Sequence, residues 1–456
     1  MKYSKNFVLI PQNAEYKIIN YDDSCYCLDI FNPFVLKITK DVKNLLTRFK
    51  GKSIGFIQEN QRDSDKVITE ILKLRENGFF SDNHQDNSSN ENTSQFKIAL
   101  EVTNVCNLNC LYCYSDTRNS KESDSFLTEE NARKSINFLS KYITCEEIEI
   151  NFFGGEPLIN FKLIKWIVDF CDNHKKKFTF GITTNGTLIN PEIALFLQKH
   201  NFDVLLSIDG PENIHNKMRP FGVKKGSFDK VLAGIKTLQE YYGNNFATNT
   251  IVSKYFPYPN KLVKTLHEMG LNRVSLKTVS APSNDLLDLD DISFDKLLEM
   301  EERNLLQLLK HKEWSINYLP LSQYMKMFAG GTRKRFRCGI GREMLAVSTS
   351  GKIYPCHRLL GNDALLLGDI HQGINEEKRN VYFTKDFSHF AECRKCWART
   401  ICGGPCLSDS YDYTGSLDKL IEKKCKRIKK LIELSIIFYA ELIKTDKKRL
   451  LSYLTT

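Results

Sequence analysis

Three cysteines stand within eight positions in the stretch CNLNCLYC, at Cys106, Cys110 and Cys113, with the spacing C-x3-C-x2-C. Thiols clustered this closely in a chain without a secretory start are metal ligands by default, and their number narrows the chemistry. A structural zinc site closes with four nitrogen or sulfur donors, and neither a histidine nor a fourth cysteine is near. Iron–sulfur clusters are held by closely spaced thiolates, normally four. Three thiolates on a four-iron cube leave one iron open, and a group that chelates through an amine and a carboxylate would fit there.

A second constellation follows residue 337. Cys338 and Cys356 are joined by Cys393, Cys396, Cys402 and Cys406 in CRKCWARTICGGPC, and by Cys425. With Gly351 included, the order is C-x12-G-x4-C, then C-x2-C-x5-C-x3-C, then a lone C. Four cysteines remain. Cys25 and Cys27 lie two apart on an expected strand and so face the same way, which reads as packing. Cys145 and Cys171 fall in or beside expected helices and read as small hydrophobes.

Something must position these groups. Residues 81–95, SDNHQDNSSNENTSQ, contain no aliphatic residue and read as a flexible linker. Before it, NFVLI, YKIIN and CYCLDIF read as short strands, and TKDVKNLLTRFK and SDKVITEILKLRENGFF as helices. That is an α+β unit of winged-helix size over 1–80. From 96 to about 325 six strands alternate with helices, which predicts a parallel sheet with right-handed crossovers, curled into a partial (β/α)6 barrel of TIM type. Reactive sites in such folds lie at the carboxyl ends of the strands. Here the first four strands run into TNVCNLNC, GGEP, TTNGT and SIDGP. Residues 326–430 form a cysteine-rich extension, and a Lys-rich helix closes the chain over 431–456.

Composition excludes some classes. The chain of 456 residues is 41% hydrophobic and 26% charged, and no apolar run approaches the ~20 residues that span a bilayer. The start, MKYSKNFVLIPQNAEYK, has no secretory pattern, so the expectation is a cytoplasmic protein with reduced thiols. The net charge of +10 reads as a Lys-rich solvated surface. Neither a nucleic acid nor a membrane is expected as partner.

The triplet resembles the hallmark of the radical S-adenosylmethionine enzymes, a C-x3-C-x2-C in the loop after the first barrel strand. That resemblance implies a 4Fe-4S cluster on Cys106, Cys110 and Cys113, with S-adenosylmethionine chelating the open iron. One-electron reduction then cleaves it to a 5′-deoxyadenosyl radical that abstracts hydrogen. It further implies cofactor contacts from Gly154, Gly155, Glu156 and Pro157 of GGEP, from Thr184 and Asn185, and from Ser207, Asp209 and Arg219 of SIDGPENIHNKMR, with Tyr112 near the adenine. On residue chemistry, the glycine pair exposes backbone to a ligand, and Arg219 suits a carboxylate.

The later cysteines resemble the SPASM extension of the same superfamily, which implies two auxiliary 4Fe-4S clusters and three in all. Cys393, Cys396, Cys402 and Cys425 would hold the outer one and Cys338, Cys356 and Cys406 the inner. The inner cluster is then one ligand short. Either a non-cysteine group completes it, or an open iron can take a substrate thiolate. Sulfatase maturases of this group carry Asp directly after the cysteine of G-x4-C, as a base, whereas this chain has His357. A histidine can serve as a base or be a neighbour of the cluster. The segment YPCH resembles instead the maturases that form thioether crosslinks in Cys-rich ribosomal peptides. The N-terminal unit resembles the winged-helix peptide-recognition domain related to the peptide chaperone of pyrroloquinoline quinone synthesis. Expected partners are a precursor peptide, whose leader adds as an edge strand, and an electron donor of flavodoxin or ferredoxin type. Other radical peptide chemistry, such as carbon–carbon crosslinking or epimerisation, carries the same motifs. A formylglycine-forming sulfatase maturase and a DNA-binding iron–sulfur sensor are the remaining alternatives.

Overall fold

The structure is a computed structural model that describes residues 3–80, 95–114, 125–222, 225–280, 287–310 and 316–455. The linker expected at 81–95 lies outside the described residues except for Gln95, which opens a strand.

The N-terminal segment forms a three-stranded antiparallel sheet of β1 (Tyr16–Tyr21), β2 (Ser24–Asp29) and β3 (Val35–Ile38), followed by helices Lys40–Arg48, Ile54–Asn60 and Asp65–Glu76. Alternation on β2 splits its side chains between two cores. Cys25 and Cys27 face the unit's own helices with Val42, Leu45 and Ile68, while Tyr26 and Leu28 join the main core of the molecule. NFVLI is not a strand. Leu9 and Ile10 are both buried, which a one-faced strand forbids, and only Val8 makes a bridge, to Ser53.

Six parallel strands build the centre: β4 (Gln95–Thr103), β5 (Glu147–Gly154), β6 (Lys177–Thr184), β7 (Asp203–Ser207), β8 (Ala247–Val252) and β9 (Arg273–Thr278). A two-residue β10 (Asn317–Tyr318) extends the parallel run beside β9. Ile98 and Leu100, Ile148, Ile150 and Phe152, Phe180 and Ile182, Val204 and Leu206, and Val274 and Leu276 point outward into the helical layer. Burying such a side chain fully stabilises by about 1.5–3 kcal/mol. The alternate residues line the inside. Helix starts are fixed by side-chain caps: Thr128 accepts from Asn131 N–H ahead of Glu129–Tyr142, and Asn190 from Ile193 N–H ahead of Pro191–Lys199.

The C-terminal third continues the same sheet. β11 (Met344–Val347) pairs parallel with β4, in register from Met344 opposite Lys97 to Val347 opposite Leu100. β12 (Lys352–Tyr354), β13 (Gly368–Asp369) and β14 (Gly373–Ile374) follow antiparallel, giving eleven strands in the order β10-β9-β8-β7-β6-β5-β4-β11-β12-β13-β14. Helix Glu422–Thr445 carries Cys425 in its first turn and then buries Leu431, Ile432, Ile436 and Phe438. The N-terminal unit seats on this region. Glu15 pairs with both Nη atoms of Arg399, at 2.7 and 2.6 Å, Thr400 Oγ1 donates to Ile30 O at 2.6 Å, and Lys17 reaches Glu433 at 2.8 Å. Among the described residues no helix is long and apolar enough to cross a membrane.

Candidate active site

The thiol triplet lies on the loop after β4, and that loop is gripped from two sides. On one, Gly155 N–H donates to Thr103 O at 2.9 Å and Glu156 N–H to Val105 O at 2.8 Å. On the other, Asn109 N–H donates to Pro220 O at 2.8 Å and Leu111 N–H to Met218 O at 2.9 Å. GGEP and the segment around Arg219 thus hold the loop between them. The glycine pair is explained by this grip. A Cβ on Gly154, at φ +151°, would lie 1.9 Å from Thr103 O, and one on Gly155 would lie 2.2 Å from Val105 O. An added Cβ at either glycine would therefore meet the backbone that leads into Cys106.

Within the loop, Leu108 N–H donates to Cys106 Sγ at 3.4 Å, and Asn185 Nδ2 lies 4.0 Å from the same sulfur and 2.8 Å from Asn107 Oδ1. Asn107 in turn donates to Thr187 Oγ1 at 2.8 Å. Burial pushes the Cys106 thiol up to about 11 and the Cys110 thiol up to about 12; the other thiols of the triplet add to the rise, and Arg219 opposes it at Cys110.

Glu156 sits behind the loop. Its carboxylate accepts from Thr184 Oγ1 at 2.7 Å, Asn185 N–H at 2.7 Å and Leu158 N–H at 3.1 Å. It is 1% exposed, and burial pushes its pKa up to about 7 against those hydrogen bonds, which lower it. Thr184 is likewise buried and serves Glu156. Pro157 opens the short turn that follows.

Asp209 holds the opposite wall. Arg219 donates to it from Nε at 2.9 Å and Nη2 at 3.4 Å, Ile251 N–H at 3.0 Å, and the Tyr112 hydroxyl completes the set. The guanidinium stacks 5.2 Å from the Tyr112 ring centroid. The recorded guanidinium hydrogen bonds of Arg219 therefore go to a carboxylate of the chain itself. His215, which the sequence reading passed over, accepts from Asp209 N–H at 3.3 Å through Nδ1 and meets Ser227 Oγ at 3.0 Å through Nε2. Burial, with Arg219 next, pushes its pKa down to about 4. Ser207 ends β7 close by, paired across the sheet with Asn249.

The seven later thiols sit in two neighbourhoods defined by which thiols act on which. Cys356 is pushed up to about 12, by burial first and then by Cys338 and Cys406. Cys393 is pushed up to about 12 by burial, then by Cys402, Cys425 and Cys396, and Cys425 to about 11 with Cys402 and Cys396 among the causes. Gly351 makes the turn between β11 and β12 at φ +84°, which accounts for the glycine in C-x12-G-x4-C. Among the described residues no three His, Cys, Asp or Glu side chains converge on a point for a single metal ion.

His357 faces the barrel mouth, 3.8 Å from Cys356 Sγ, with the Phe153 and Tyr114 rings at 5.5 and 6.1 Å. Burial, with Arg358 and Lys277 next, pushes its pKa down to about 4. Arg358 is held by Asp409 and Asp412. Neither this pair of acids nor Tyr114 carries a motif by which the sequence could have nominated it.

The profile of the Radical SAM superfamily matches residues 100–257. A radical SAM cyclopropyl synthase, TigE, of Paramaledivibacter caminithermalis is 28% identical over 445 residues, 92% of this chain and 88% of the relative. A cysteine-type anaerobic sulfatase-maturating enzyme of Clostridium novyi is 27% identical over 327 residues, 66% of this chain and 84% of that one. Among solved structures, native anSMEcpe with bound AdoMet and Cp18Cys peptide superposes with a TM-score of 0.64 at 22% identity, covering 77% of this chain and 100% of that one. With the thiol triplet on the loop after the first strand of a partial barrel, and the family match over residues 100–257, the chain carries a radical SAM domain: it is an enzyme whose cofactors are S-adenosylmethionine and 4Fe-4S clusters.

Proposed function

We propose that the enzyme matures a ribosomally made precursor peptide by closing an intramolecular bond onto an unactivated carbon held at the barrel mouth. In this reading Cys106, Cys110 and Cys113 hold the cluster that works with S-adenosylmethionine, Cys338, Cys356 and Cys406 an inner auxiliary cluster, and Cys393, Cys396, Cys402 and Cys425 an outer one. The donor chemistry fits, because each neighbourhood is made of thiols, the donors that iron–sulfur clusters take, and each lies on loops or helix ends tied to the sheet. When bound, the cofactors supply a 5′-deoxyadenosyl radical that abstracts hydrogen from the substrate.

The chain's own residues do the positioning. GGEP and Met218–Pro220 fix the triplet loop, and the Asp209, Arg219 and Tyr112 set with Ser207 forms the wall across from it. Phe153, Tyr114 and His357 give the mouth an apolar, aromatic lining that excludes water from a reactive carbon. The N-terminal unit takes the leader as an added edge strand, which raises the effective concentration of the core peptide at the mouth. The observation that carries the reading is the seating of that unit on the thiol-bearing segment through Glu15–Arg399 and Ile30–Thr400. A flavodoxin or ferredoxin in the cytoplasm is the electron donor that such chemistry requires.

The atom that closes the bond is the finer question. The inner set of three thiols, one ligand short of the usual four, favours a substrate sulfur and hence a thioether. The likeness to a cyclopropyl synthase over 92% of the chain favours carbon. One experiment separates them. Reconstituted enzyme, reductant, S-adenosylmethionine and the peptide encoded beside its gene are incubated without oxygen, and the product is weighed before and after thiol alkylation. A loss of two hydrogens with one alkylatable cysteine gone supports the thioether. The same loss with every cysteine still alkylatable supports the carbon ring. An unchanged peptide beside accumulating 5′-deoxyadenosine would remove the peptide reading.

A further inference from the structure

Arg337 has an unusual set of neighbours. It precedes Cys338 in the chain, and its Nη1 lies 3.3 Å from Tyr324 OH, 3.4 Å from Cys402 O and 3.8 Å from Cys402 Sγ. Among the described residues, the groups that act most on its charge are the Tyr324 hydroxyl and the thiols of Cys402 and Cys406. Its charge acts in turn on Cys338 and Cys425. One residue therefore joins both later thiol neighbourhoods, its guanidinium against Cys402 and its backbone leading into Cys338. The two are also clamped at the backbone beside it. Gly403, at φ +75°, packs so closely that a Cβ there would stand 2.2 Å from Phe336 O and 2.8 Å from Arg337 N.

A buried cation is costly unless an opposite charge faces it. The half-buried arginines Arg358 and Arg427 in this region each have a carboxylate: Arg358 has Asp409 and Asp412, and Arg427 has Glu301 at 2.6 Å. For Arg337 the anionic partners on hand are sulfurs, which carry charge once they ligate a metal.

We propose that Arg337 is the shared counter-ion of the two auxiliary clusters, holding both at a higher reduction potential than their thiol ligands alone would give and coupling them electrostatically. This rests on the auxiliary-cluster reading above. The physical step is simple. Reduction of either cluster by one electron adds a negative charge beside a fixed positive one, so the reduced form gains more than the oxidised form, and charge and hydrogen bonds to the sulfurs are what tune such potentials.

The test uses the full chain with Cys106, Cys110 and Cys113 changed to Ala, reconstituted so that only auxiliary clusters load, and titrated with dithionite under EPR. This background should hold about eight irons, two 4Fe-4S clusters; failure to load them removes the auxiliary-cluster reading and the proposal with it. Arg337→Gln is expected to shift the redox equilibrium of both clusters toward the oxidised form by at least about tenfold, which is about 59 mV for a one-electron couple. Iron retained with either potential unmoved overturns the proposal while leaving the clusters assigned. Should Arg337→Gln lose iron, Arg337→Lys decides. It keeps the charge, so both potentials should stay within that tenfold range, and a larger fall in either overturns the proposal.

Discussion

Two carboxylates are buried at the same end of the barrel, 1% exposed each, and they are held in opposite ways. Asp209 faces a guanidinium, so its charge is required by Arg219 as much as Arg219 is required by it. Glu156 faces only uncharged donors from Thr184, Asn185 and Leu158, and no neighbour depends on its charge. The first is a pair that must be kept whole. The second is a hub whose ionisation costs energy, which is why burial raises its pKa to about 7. Together they brace the two sides of one thiol loop by different physics, and the difference can be tested from its largest effect downward.

Asp209→Ala should be the most damaging change, because it strands Arg219 in a dry site. A loss of about 3–5 kcal/mol is expected on chemical denaturation; a loss below about 1 kcal/mol would mean that Arg219 finds another partner and the contrast fails. Gly155→Ala attacks the brace on the other side. Its Cβ would be driven into Val105 O and Cys106 N, at 2.2 and 2.8 Å. About 1–3 kcal/mol of overpacking is expected, together with fewer irons bound per chain at the triplet. Retention of wild-type iron content would show that the loop does not depend on this contact.

Glu156→Gln sets an NH2 against one of the N–H or O–H donors and should cost about 1–3 kcal/mol near pH 5. Because the folded pKa of Glu156 lies above its ordinary 4.5, its stabilising contribution is complete below that value and is lost as pH rises through 7. The gap between wild type and Glu156→Gln should therefore narrow from pH 5 to pH 8, by at most about 3 kcal/mol. A constant gap would mean that Glu156 stays charged throughout.

The mildest effect belongs to His215, behind Asp209, and its slope has the other sign. The folded pKa is depressed from 6.5 to about 4, so its contribution is present above 6.5 and is lost as pH falls toward 4. At pH 5.5 the wild type should have given up about 1 kcal/mol that His215→Gln does not. Parallel melting curves for the two proteins between pH 7 and 5.5 would contradict this.

The barrel was legible because strand patterns alternate with helical ones from residue 96 onward, and because thiols within eight positions need no tertiary knowledge to be grouped. Other features were not legible. The packing of Gly154 and Gly155 against Thr103 and Val105 depends on a neighbouring loop, and adds a second reason for the glycine pair. The pairing of Arg219 with Asp209, ten positions earlier, has no signature in the sequence. Glu15 and Arg399 are 384 residues apart, a pairing with no local trace in the sequence. Elements of two residues, such as β10, β13 and β14, are too short for any period to register. His357 is a further case: the Phe153 and Tyr114 rings that pack on it lie far along the chain.

The pairing of β11 along β4 from Lys97 to Leu100 bears on how the molecule can be cut. A chain ending near residue 330 would strip the first barrel strand of its outer partner and leave a row of open N–H and C=O groups on an apolar ribbon, a template for pairing with another copy. The C-terminal third is thus edge protection for the barrel as well as a carrier of thiols, and a truncated barrel should be sought in the aggregate and not in the supernatant.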